Sequence, residues 1–123
     1  MADFSFPKKL RLLNALDYQP VFNKTQYKVS CRYLLVLAKR NEKPQPRLGL
    51  VIAKKNIAKA VQRNRVKRVI RESFRLNQDL LKHLDIVILT RPGLGNLDNK
   101  VIDGKISRLW QELANKTRTS TDT

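Results

Sequence analysis

Between residues 54 and 75 the chain places nine lysines and arginines and a single acid, Glu72, a net of +8 in 22 residues. Side chains of this kind at this density bind phosphate, arginine through paired N–H bonds and lysine as a point charge. A merely solvated helix face alternates signs and builds i,i+4 pairs, which one glutamate is too few to do. Val61, Val66, Val69 and Ile70 are threaded among the cations, so the stretch must also turn one side to a core. On a helical wheel Ala58, Val66, Val69, Ile70, Phe74 and Leu76 fall on one broad arc, with Asn64, Lys67, Arg68, Arg71 and Arg75 opposite. Arg63 and Arg65 flank the apolar stripe, where their stems pack and their heads reach solvent.

The rest of the composition agrees with a polyanionic partner. The chain of 123 residues has 26 Lys and Arg against 10 Asp and Glu, a formal charge of +16. A domain this basic repels itself, and nucleic acid is the expected ligand. With 41% hydrophobic residues it is no disordered polycation, and its length suits one domain. Residues 1–123 are read as that domain, with about 1–5 and 116–123 expected to be flexible. The apolar runs are too short to span a bilayer, and the start, MADFSFPKKLR, does not read as a signal peptide. A single cysteine, Cys31, suits a reducing compartment, so the cytoplasm is the expected location.

Catalytic chemistry is hard to find. The acids are scattered, with no sequence motif for a two-metal site. His83 is the sole histidine, which excludes a two-histidine acid–base mechanism. Cys31 has no second ligand type near it, and Gly93 and Gly95 lack the strand–glycine–helix context of a nucleotide loop. The expectation is a chain without catalytic residues and without a metal of its own.

The elements that must position the basic stretch follow from local patterns. Asn14 caps a first helix that holds Tyr18 and Phe22 four apart on one face. Residues 27–39 read as two strands or one bent strand, 40–46 as a turn, and 48–53 as a strand, together a hairpin. The basic helix is expected over 57–77. The nearly continuous apolar run at 85–90 is a buried strand. Residues 92–96 form a loop, and Asp98 caps a last helix with Ile102, Ile106, Leu109 and Leu113 at helical spacing. Three helices on a small mixed sheet of about four strands make an α/β sandwich of the α+β class. A strand, not a helix, precedes the basic helix, unlike a DNA-binding helix-turn-helix. The residues leave DNA and RNA both open and favour RNA, bound through phosphates and single-stranded segments.

RLGLVIAKKN followed by AVQRNRVKRVIRESFR resembles the bacterial ribonuclease P protein family: a strand ending in two lysines, Lys54 and Lys55, then a helix with Arg63-Asn64-Arg65. FPKKLRLLNALDYQPVF is similar to the family's basic N-terminal segment and first helix, and DIVILTRPG to its last strand, so the likeness covers about residues 5–115. It implies the small protein subunit of a ribonucleoprotein endonuclease that removes 5′ leaders from precursor tRNA. The RNA subunit would perform Mg²⁺-dependent hydrolysis, and the protein would be monomeric by itself. The implied fold has a left-handed βαβ crossover, a rare exception to the usual hand. Arg63, Asn64, Arg65, Lys67, Arg68 and Arg71 would contact the RNA subunit, with a bond fixing the start of the helix as the competing role of Asn64. Tyr18 and Phe22 would line a cleft for the single-stranded leader, or else pack in the core. Val36 stands where some relatives have a third cleft aromatic, and Lys54 and Lys55 would meet leader phosphate. Lys54 shares a strand face with Leu50 and Ile52 in this reading. Lys8, Lys9, Arg11, Arg75 and Arg91 are weaker candidates. The competing readings are a stand-alone basic RNA-binding module and a protein-only nuclease.

Overall fold

The computed structural model describes residues 8–12 and 14–121. Helix α1 (Ala15–Asn23) leads to strands β1 (Tyr27–Ser30), β2 (Leu34–Arg40) and β3 (Arg47–Val51). Helix α2 (Ala60–Leu76), strand β4 (Leu84–Thr90) and helix α3 (Asn99–Thr121) complete the chain, with short 3₁₀ turns at Lys8–Leu10, Gln78–Leu81 and Leu94–Asn96. Asn14 accepts from the Asp17 N–H at 3.2 Å, and Asp98 from the Val101 N–H at 2.9 Å, so both expected caps form.

The sheet order is β1-β2-β4-β3, with β3 and β4 parallel and the other pairs antiparallel. The hairpin expected from β2 and β3 is therefore absent; the tight pair is β1 with β2. The reason lies in β4, whose residues Leu84 to Ile88 are all buried. A strand apolar on both faces takes a central place, and β4 enters between β2 and β3. The 40–46 segment crosses this gap and is tied to the start of β4 by the Asn41 N–H bond to His83 O at 2.7 Å.

Helices α2 and α3 cover one face of the sheet, where Leu34, Val36, Ala38, Leu48, Ile86 and Ile88 meet Val66, Ile70, Phe74, Ile106 and Trp110 in one buried cluster. Trp110 meets the Phe74 ring edge-on at 5.8 Å and donates its indole N–H to Ser73 Oγ at 2.9 Å, which satisfies two polar groups inside the core. Helix α1 covers the other face through Val21 on Val87. The three-layer α+β arrangement is as expected, but the apolar arc of α2 is narrower. Leu76 is 68% exposed, and Ala58 lies before the helix, exposed. The backbone of α3 runs on to Thr121, and residues 1–5, 122 and 123 lie outside the described residues.

Candidate nucleic-acid interface

Helix α2 stands with Val66, Ile70, Ser73 and Phe74 buried and its polar residues turned away from the sheet. Asn64 and Arg68 are exposed on that outer side, and Lys67 and Arg71 are half-buried. Arg63 and Arg65 are engaged within the chain. Arg63 Nη1 donates to the carbonyls of Ile57 at 3.0 Å and Ala58 at 2.7 Å, fixing the start of the helix, the role weighed for Asn64. Arg65 donates to Asn99 Oδ1 at 2.7 Å and Gly95 O at 2.9 Å, which ties α2 to the start of α3. A guanidinium has five N–H donors, so these bonds orient each fork without exhausting it. Arg75 pairs with Glu72 at 2.7 Å, and its hydrogen bonds hold the exposed Glu72 carboxyl below the usual range. Arg91 donates to Cys31 O at 2.8 Å, a structural bond at the end of the sheet.

The α1 side of the sheet is built in cross-strand rows. Register aligns Lys39, Asp85 and Arg47 in one row, Leu37, Val87 and Gly49 in the next, and Leu35, Leu89 and Val51 in the third. Residues directly opposite in neighbouring strands share a face. At 100° per residue on α1, Val21 meets the sheet, Asp17 flanks it on one side, and Tyr18 and Phe22 flank it on the other. Asp17 reaches Arg47 at 3.6 Å. The first two rows thus lie under the helix, and Leu35, Leu89 and Val51, all half-buried, make an apolar strip beside Tyr18 and Phe22, the floor of the expected cleft. Tyr18 packs on this apolar patch, while Phe22 is 42% exposed.

Gly49 lets Tyr18 lie flat on the edge strand, because a Cβ there would sit 2.6 Å from Tyr18 Cζ. Gly49→Ala is expected to swing the ring aside, since the obstructing atoms are the far end of a side chain. The Tyr18 ring resonances should move in NMR spectra while the unfolding free energy changes by only about 1 kcal/mol.

Two site expectations are corrected. Val36 is fully buried on the opposite face, among the α2 and α3 contacts, so it does not line the cleft; Leu35 and Leu37 face α1 instead, by the alternation of β2. Lys54 does not continue β3. The strand stops at Val51, and Leu50 and Ile52 pack toward the α2 side, so strand alternation would have turned Lys54 away from the cleft. A turn at 54–56 exposes Lys54 and Lys55 beyond the cleft floor, and Asn56 Nδ2 pins it to Thr90 O at 2.8 Å.

The N-terminal segment joins the two surfaces. Arg11 bridges to Leu48 along the free edge of β3, with Lys8 and Lys9 exposed in the turn before it. Arg71 of α2 has Arg11 and Tyr18 as electrostatic neighbours; burial, then repulsion from Arg11, disfavours its charged form. The basic helix, the N-terminal cations and the cleft aromatic therefore meet along one edge. On the opposite flank of α1 Asp85 accepts from Arg47 at 2.9 and 2.7 Å and from Asn41 at 2.7 Å. Bonding to Asp85 raises the Arg47 pKa against the opposing effect of burial. This network and Gly49 were missed in the sequence, where neither spacing nor composition marks them.

The curated relatives include ribonuclease P protein components from a Marinomonas species, 45% identical over 94% of this chain and 88% of the relative, and from Pseudomonas aeruginosa, 47% identical over 97% and 89%. Among solved structures, the RNase P protein of Staphylococcus aureus superposes with a TM-score of 0.76 at 27% identity, covering 83% of this chain and 93% of that one. That of Thermotoga maritima gives 0.73 at 31% identity, covering 83% and 96%. The family model described as Ribonuclease P matches residues 6–114, which take in the cleft helix, the paired lysines and the whole of α2, and the chain belongs to the ribonuclease P protein family.

Proposed function

We propose that the chain is the RNA-binding subunit of ribonuclease P and assists a catalytic RNA in removing the 5′ leader from precursor tRNA. One observation carries the reading: in a chain of this family, an acid-poor basic helix and an apolar, aromatic-flanked cleft meet along the Arg11–Arg71–Tyr18 edge. Asn64, Lys67 and Arg68 offer phosphate contacts to the RNA subunit, with Arg63 and Arg65 adding their remaining donors. Arg71 and Arg11 extend the positive strip toward the cleft, where the leader lies over Leu35, Leu89 and Val51 with a base against Phe22. Lys54 and Lys55 take its phosphates at the far end.

In this mechanism the protein supplies binding and charge neutralisation. Each phosphate it contacts releases condensed counterions, so enzyme RNA and substrate associate with less help from free Mg²⁺. Mg²⁺ belongs to the RNA-centred hydrolysis. The protein acts as a monomer on its two RNAs, in the cytoplasm; among the described residues no helix is long and apolar enough to cross a membrane.

The cleft assignment is tested with Phe22→Ala in the reconstituted holoenzyme. Precursor tRNA should bind about five- to tenfold more weakly, the loss expected for one stacked base, while mature tRNA is unaffected. Equal weakening of both would remove the leader from this cleft.

A further inference from the structure

The outer face of α2 is not uniformly basic. Arg65, Arg68, Val69, Glu72 and Leu76 follow one another at helical spacing and form the wall of a trough whose other side is the start of α3. Two depressions lie in it. One beside Arg65, Asn96 and Asp98 shares Asn99 and Lys100 with a more apolar one of about 410 Å³ beside Arg68, Val69, Leu76 and Asp103. Helix α2 turns two large apolar side chains to solvent, Val61 at 79% exposure and Leu76 at 68%, and of the two Leu76 lines this groove.

The charges around the apolar floor are arranged by kind. Arg68 and Lys100 stand on opposite walls, and neither has an ion-pair partner among the described residues. Glu72 is already taken by Arg75, which leaves Asp103 as the unpaired carboxylate at the rim. Asn99 Oδ1 accepts from Arg65 at 2.7 Å, so its amide has its NH₂ group left to offer. Phosphate-binding cations, an apolar surface and a hydrogen-bond acceptor within one groove match the three parts of a nucleotide.

We propose that this groove takes an unstacked base of the RNA partner, with a flanking phosphate between Arg68 and Lys100 and an exocyclic amino group donating to Asp103. The groove is continuous with the proposed RNA-binding face, and the inference rests on that reading. A carboxylate only accepts hydrogen bonds. Adenine and cytosine present amino donors to it, as carboxylates receive cytosine N4 in duplex recognition. Uracil turns carbonyl oxygens to the same place and is disfavoured.

The full chain, labelled with ¹⁵N, is titrated with penta-adenylate, penta-uridylate and inorganic pyrophosphate. Penta-adenylate should shift the amides of Val69, Leu76, Asn99, Lys100 and Asp103 saturably and bind more tightly than penta-uridylate. Leu76→Ala, at an exposed position, should weaken penta-adenylate about five- to tenfold and leave the log–log salt slope unchanged. Asp103→Asn should narrow the adenylate–uridylate difference. Equal affinity for the two oligonucleotides, with shifts like those of pyrophosphate and a neutral Leu76→Ala, would overturn the base site and leave only phosphate contacts, with the subunit reading intact. Self-association of the chain that Leu76→Asp abolishes would assign the groove to a second copy and equally overturn it.

Discussion

Lys67→Ala combined with Arg68→Ala should weaken binding to the ribonuclease P RNA on the order of a hundredfold near physiological salt. The slope of log affinity against log salt should fall by about 1.4–1.8, because each lost phosphate contact removes about 0.7–0.9. The two residues stand on the α2 side away from the core, so thermal stability should hold. Filter binding across a potassium chloride series measures the slope, and an unchanged slope would mean that this face does not meet the RNA. Arg65→Ala should behave differently. Its guanidinium ties α2 to Asn99 and Gly95, so its loss should lower Tm and loosen the α2–α3 junction, as well as affecting RNA binding.

The second large effect lies on the opposite flank of α1 from the cleft. Asp85→Ala should lower the unfolding free energy by about 3 kcal/mol. Asp85 is 8% exposed and accepts three hydrogen bonds from Arg47 and Asn41. Removing it strands a partly desolvated guanidinium and an amide at the junction of β2, β3 and β4. Arg47 also faces Asp17 of α1, so the surviving native state should hold α1 less firmly on the sheet and bind leader more weakly. Urea unfolding measures the first consequence. A loss below about 1 kcal/mol would mean that solvent replaces these partners easily.

What the sequence made legible, and what it hid, follows from the kinds of signal involved. The basic helix was readable because its charge is local and one-signed, and both helix caps because Asn14 and Asp98 precede periodic stretches. Strand pairing was not, because adjacency in the chain suggested a hairpin, whereas β4 reaches the gap between β2 and β3 from more than thirty residues away. The assignment of Val36 failed for a related reason. In the run Leu34-Leu35-Val36-Leu37-Ala38 every residue is apolar, so no alternation tells the core face from the cleft face. Only the position of α1, held by Val21 on Val87 and by Asp17 near Arg47, decides that Leu35 and Leu37 face the helix. The aim of Arg63 and Arg65 was likewise hidden, since their acceptors are carbonyls and an amide set by the tertiary fold.

The role proposed for this chain is to bind RNA for a reaction that the RNA performs. Its most direct test is cleavage of precursor tRNA at low Mg²⁺ by the purified protein, by the ribonuclease P RNA, and by both together. Accurate 5′ leader removal is expected only when both are present, with the protein alone cleaving nothing. Robust cleavage by the protein alone would contradict it.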